Sequence, residues 1–188
     1  MKDNIVKVIT EYRTNQFDRM EPMREKWQGK PWQRRPKDPM DYSNAPVFIV
    51  LLGDTRTKVG LPMSVWYNVH KRESIFDSSL ANTFLYMHLA AVALGLASQW
   101  NSAVQVPIVS CLLKDILGIP RHFVTYDMMA LGYSAQTPKQ KFLRDKEDMV
   151  HYDYCGEEDF RTDEEVKDFI KRTRNWALAA HPQTTEQV

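Results

Sequence analysis

The residues best suited to chemistry by type and spacing are three cations that follow Leu131-Gly132-Tyr133: Lys139, Lys141 and Arg144. Across a short turn they would present several positive groups to one place. Such a cluster suits a phosphate, because arginine binds it bidentately and lysine adds a point charge. A solvated basic turn is the competing reading. The other reactive side chains do not assemble by spacing. His70, His88, His122, His151 and His181 are scattered without a metal-ligand pattern, so no metal is expected and structural roles are. Ser79, Ser98, Ser102 and Ser110 lack the surroundings of a nucleophile elbow. Cys155 sits beside Gly156 and a run of acids, a poor setting for a nucleophilic thiolate. The stretch GDTRTKVG has neither a three-glycine fingerprint nor a lysine-terminated phosphate loop. No catalytic residue is assigned from spacing.

The elements that must position these residues centre on the run from Ser78 to Val106. From Leu80 to Ala97 it carries Phe84, Leu85, Met87, Leu89, Val92, Leu94 and Leu96 among alanines, with few polar interruptions. A helix apolar nearly all round lies in a large core or in a membrane. The flanks carry no tight Lys or Arg clusters and no second span exists, so a core helix at a subunit interface is expected rather than a membrane span. Ala81, Ala90, Ala91, Ala93, Gly95 and Ala97 would let another helix approach closely. Ser78 or Ser79 is the expected cap. Ala97 to Val104 then reads as a strand leading into a loop.

Around this run the chain alternates elements. Ile5, Val8, Ile9 and Tyr12 recur at helical spacing. Met20 to Asn44 holds Pro22, Pro31, Pro36 and Pro39 and reads as a long irregular connection. Pro46 to Leu52 is a short apolar run stopped by Gly53, the pattern of a strand buried on both faces. A mobile or partly helical stretch is expected past Gly60 and Pro62. Pro107 opens a helix that ends at Leu117, with Gly118 just past it. Phe123 to Tyr133 reads as a further strand. Thr162 and Glu165 form a capping box before a helix whose buried stripe is Val166, Phe169, Ile170, Thr173 and Trp176 or Ala177. Strands interleaved with helices without a regular repeat predict an α+β layered domain, a single one over residues 1–188.

Composition narrows the classes further. The chain has 188 residues, 43% of them hydrophobic, and a formal net charge of +1. That length supports one core without staples. Arg24, Lys26, Lys30, Arg34, Arg35 and Lys37 form a basic stretch with Trp27 and Trp32 among them, while 145–168 is mostly acidic. The near-neutral total argues against a nucleic-acid partner. Two cysteines, far apart, and a start without a cleavable apolar stretch place the expectation in the cytoplasm.

One ordered set of segments carries a resemblance. Ala45-Pro46-Val47 with its strand comes first, then SLAN and LAAVALGLASQW, LGIP and LGY. Pro138 through Lys141 and Arg144 to Met149-Val150-His151 completes the set. In that order, from about Ala45 to Gly156, the chain resembles the flavin-dependent nitroreductase family. The resemblance implies a nitroreductase-like α+β fold, a mixed sheet flanked by helices, in a homodimer holding FMN at the subunit interface, reduced by NADH or NADPH and reoxidised by a nitroaromatic, quinone or similar small molecule. It places the backbone amides of Ser102 and Ala103 beside the central flavin ring, where such donors stabilise developing negative charge. It places Lys141 and Arg144 at or near the FMN phosphate, with Leu143 where some members carry arginine.

The resemblance also implies an absence. Family members begin with Arg-Arg-Ser-x-Arg, followed by Pro-Ser-x-x-Asn-x-Gln-Pro-Trp, and neither is found here; Lys2-Asp3-Asn4 resembles the point just after them. A fragment or mis-started version of a longer enzyme, or a shortened member that binds flavin differently, is therefore the expectation, with FMN binding by this chain weakened. The alternative is a flavin-poor or non-catalytic dimeric scaffold or ligand binder with the same fold.

Overall fold

The computed structural model describes residues 1–15, 43–135, 144–147 and 149–179. They fall into two compact units, the first made of 1–15 and 43–135, the second of the described residues from 144 onward. The first unit is built on three strands: β1 (Val47–Asp54), β2 (Ala97–Asn101) and β3 (Phe123–Gly132). Their order is β1-β3-β2, and both pairings are antiparallel. The sheet is therefore antiparallel among the described residues, where the resemblance implies a mixed one; the α+β class itself is observed.

Helices cover both faces of this sheet. On one face, α1 (Lys2–Asn15) and α4 (Pro107–Leu117) bring Ile5, Ile9, Val109 and Leu113 against Met128 and Ala130 of β3 and against Val104. Two short helical pieces, a 3-10 turn at Thr55–Gly60 and α2 (Met63–Trp66), follow β1. They precede α3 (Val69–Ala93), which packs on the other face. Gly53 makes that packing close: a Cβ there would stand 2.6 Å from Phe76 Cζ and 2.8 Å from Leu80 Cδ1 of α3. The stretch past Gly60 is thus helical.

The capping chemistry explains the boundaries. Pro107 occupies the first turn of α4, and Gly118 ends it with φ 66°, a left-handed value that glycine reaches without Cβ strain. The long helix begins well before Ser78: Asn68 Oδ1 accepts the Lys71 N–H at 3.0 Å. Ser78 and Ser79 lie inside the helix, and the Ser79 hydroxyl donates to Ile75 O at 2.8 Å. The C-terminal end is set by Gly95, at φ 72°, with Leu96 N–H donating to Ala91 O.

Burial corrects the expectation for this helix. Within the chain only Phe84 and Ala91 of α3 are buried, while Leu85, Leu89 and Val92 are 51%, 56% and 69% exposed. The buried residues are those touching the sheet; the opposite apolar row is exposed, with nothing packed over it among the described residues. Strand β1 is likewise half-buried along most of its length rather than buried on both faces. Strand β2 stops at Asn101, three residues before the expected end, because Asn101 caps a 3-10 turn at Ser102–Gln105.

In the second unit, a 3-10 turn at Glu157–Asp159 precedes α5 (Asp163–Ala179). The expected capping box is present: Thr162 N–H donates to Glu165 Oε2 at 2.8 Å, and Glu165 N–H to Thr162 Oγ1 at 3.3 Å. The backbone and hydroxyl hydrogen bonds from Thr162 hold the Glu165 carboxyl below its ordinary pKa. The stripe of α5 is less buried than its spacing suggests, with Val166 and Ile170 exposed and Phe169 and Thr173 half-buried. The connection expected at Met20 to Asn44 lies almost wholly outside the described residues.

Candidate functional site

Two of the expected residues, Ser102 and Ala103, adjacent in the chain, lie in the turn at the end of β2. Ser102 and Ala103 open the 3-10 turn between β2 and α4, Ser102 exposed and Ala103 half-buried. The turn forms because Asn101, buried at 3% exposure, turns its carboxamide back on the chain. Asn101 Oδ1 accepts the Ala103 N–H at 3.0 Å. Asn101 Nδ2 is buried and has no partner among the described residues.

That pairing has a chemical meaning. A donor already bonded to a carboxamide is not available to a ligand until the carboxamide swings away. The Ala103 amide is therefore held in reserve, and the buried Nδ2 beside it is a donor seeking an acceptor.

Polar residues behind the turn hold it in place. Thr125 Oγ1 donates to Val104 O at 2.7 Å and lies 2.8 Å from Ser110 Oγ of α4. Gln105 Nε2 donates to Asp127 Oδ1 at 3.2 Å. Burial raises the Asp127 pKa, and hydrogen bonds from the Trp100 and Gln105 side chains only partly offset this. On the other face, the Phe84 ring packs against both His88 and Trp100, with ring centroids at 4.9 and 4.7 Å, and those two rings stack on each other at 5.6 Å. His88 Nδ1 and Ser98 Oγ share a hydrogen bond of 2.6 Å. The turn thus sits on a rigid support.

The two expected phosphate partners fare differently. Lys141, like Lys139 and Leu143, lies outside the described residues. Arg144 belongs to the second unit, whereas Ser102 and Ala103 belong to the first. Arg144 borders a cavity of about 330 Å³ that it shares with Arg161 and Arg172 and with Glu147, Asp159 and Glu165. Three guanidinium groups facing three carboxylates leave little net charge. Such a cavity attracts a phosphate far less than three arginines alone would.

A constellation that spacing did not reveal lies at the rim of the same cavity. His151, Cys155 and Asp159 bring one nitrogen, one sulfur and one oxygen within 4.8 Å of one another. His151 Nδ1 is 3.3 Å from Asp159 Oδ1. The sequence signal is the interval of four residues from His151 to Cys155 and again from Cys155 to Asp159, which is easily passed over outside a helix. The chain turns through Asp153, at φ 69°, to bring them together.

No helix among the described residues is long and apolar enough to cross a membrane. No family model matches the chain, and no curated protein does. Among solved structures the chain is similar to NfrA2 of B. megaterium, at 15% identity and a TM-score of 0.48. The match covers 76% of this chain and 65% of that one. It is similar also to a nitroreductase with bound FMN from Bacteroides fragilis, at 20% identity and a TM-score of 0.47, over 78% of this chain and 69% of that one. This chain thus spans just under two thirds of the first of these structures and slightly more of the second.

Proposed function

We propose that the chain is a single nitroreductase-like domain acting as a cytoplasmic, homodimeric, FMN-dependent oxidoreductase. It would take electrons from NADH or NADPH and pass them to a nitroaromatic, quinone or similar oxidised small molecule. The observation that carries this reading is the ordered set of segments from Ala45 to Gly156 that resembles flavin-dependent nitroreductases. FMN, when bound, supplies the acceptance and release of hydride equivalents.

The residues around Asn101 fit such a group in kind. A flavin ring offers carbonyl and ring-nitrogen acceptors, and the turn holds one orphaned donor, Asn101 Nδ2, beside an amide that Asn101 itself restrains. Ser102 and Ala103 would orient the ring, with Asn101 deciding whether the Ala103 N–H is offered. By the resemblance alone, Lys141 and Arg144 would hold the phosphate, with Glu147, Asp159 and Glu165 around the Arg144 cavity weakening that hold. The uncovered row of Leu85, Leu89 and Val92 on α3 would meet its counterpart on a second copy.

A second reading is a dimeric scaffold or ligand binder that keeps the fold without the flavin. The engaged Ala103 amide favours it, since the donor a flavin would use is already satisfied. Incubation of the purified chain with FMN, followed by desalting, separates the two. Retained flavin absorbance together with NAD(P)H oxidation supports the oxidoreductase; a colourless protein without that activity refutes it. Alternating use of one site by donor and acceptor further requires parallel double-reciprocal lines.

A further inference from the structure

We propose that His151, Cys155 and Asp159 form a binding site for a divalent transition metal of the zinc class. The inference stands apart from the flavin reading. Their donor atoms lie within 4.8 Å of one another. Around tetrahedral zinc, with bonds of about 2.0–2.3 Å, neighbouring ligands stand roughly 3.3–3.8 Å apart. The cluster therefore needs side-chain rotations of about one ångström to close on an ion, with water completing the shell.

The donor types choose the metal. An imidazole and a thiolate suit zinc, cobalt or nickel, whereas calcium and magnesium take oxygen ligands. The carboxylate is already oriented: Asp159 Oδ2 accepts the Gly156 N–H at 2.8 Å, which leaves Oδ1 facing His151 at 3.3 Å. Outer contacts of this kind fix the direction of a ligand. His151 and Cys155 are exposed, so an ion reaches them from solvent.

Charge balance decides between a cation and an anion here. Arg144, Arg161 and Arg172 border the adjoining cavity and would oppose a bare cation. On binding, the Cys155 thiol gives its proton to solvent, so thiolate and carboxylate together neutralise a divalent ion and the filled site carries no net charge. The surroundings favour that ion over an anion: from Arg144 to Asp168 the chain carries eleven carboxylates against four Lys and Arg.

The test uses the full chain, reduced and stripped with EDTA, then titrated with cobalt(II). The expected result is one equivalent bound per chain with a thiolate-to-cobalt charge-transfer band, displaced by one equivalent of zinc. Cys155→Ser should abolish the band while Cys111→Ser keeps it. His151→Ala and Asp159→Asn should each weaken binding at least about tenfold. A wild-type titration without the band overturns the proposal, as does a band that survives Cys155→Ser. Affinities unchanged in both His151→Ala and Asp159→Asn also overturn it.

Discussion

Replacing Phe84 by alanine should be among the most damaging single changes in the first unit. The side chain is fully buried, at 0% exposure, and its ring lies 4.7 Å from that of Trp100 and 4.9 Å from that of His88. It ties α3 to β2, the strand that delivers the Ser102–Ala103 turn. Deleting a buried phenyl group typically costs about 3–5 kcal/mol, as lost transfer energy plus the cavity left behind. The two aromatic contacts place this site toward the upper end. A domain stable by about 5–15 kcal/mol loses a large share of that. With a urea dependence of about 2 kcal/mol per molar, the unfolding midpoint should fall by about 2 M. Val59→Ala, at a site 73% exposed, is the control and should change stability by about 0.5 kcal/mol or less. Equilibrium urea unfolding followed by far-UV circular dichroism reads both. A Phe84→Ala protein within about 1 kcal/mol of the parent would show that this aromatic cluster does not hold α3 to the sheet.

Three further outcomes are expected. Gly132→Ala should destabilise by about 1–3 kcal/mol in the same assay, because the new Cβ would meet Pro46 Cδ at 2.7 Å and a proline ring cannot swing aside; no measurable change would contradict that geometry. Asp127 has a folded pKa above its unfolded value, so the folded state binds its proton more tightly and stability falls as pH rises from about 4 through that raised value. The stability of wild type minus that of Asp127→Asn should therefore become less favourable with rising pH, and a difference independent of pH would refute it. Leu89→Glu should shift the protein toward monomer in sedimentation velocity. Each copy loses about 1.5–3 kcal/mol of apolar burial, so the dimer weakens on the order of 100-fold or more; unchanged sedimentation would mean this face is not the dimer contact.

Local chemistry was legible where a residue has one conformational use. Pro107 and Gly118 bounded α4, and Thr162 with Glu165 announced α5, because caps and turns act over three or four residues. The start of α3 was not legible: His70, Lys71, Arg72 and Glu73 dilute the apolar pattern, and the cap at Asn68 stands ten residues before Ser78. Burial was harder still. Leu85 and Leu89 are as apolar as Phe84, and only the direction of the sheet separates the covered residue from the exposed ones. At the β2 turn, the resemblance pointed to Ser102 and Ala103 but not to Asn101, whose side chain accepts a hydrogen bond from the N–H two residues ahead. The grouping of His151, Cys155 and Asp159 depends on a left-handed turn at Asp153, a conformation that an aspartate does not advertise.

The sheet has a temporal side as well. Both ladders run through β3, the last strand among the described residues, and β1 pairs with it from Val47↔Leu131 to Asp54↔Phe123. Neither outer strand has a partner during synthesis until residues 123–132 have left the ribosome. The apolar segments of β1 and α3 are therefore made long before the strand that covers them, and closing so long a loop is slow. A nascent chain halted before β3 would hold VFIVLL unpaired, a window open to chaperones and to aggregation that shuts only when the final strand slides between the two already waiting.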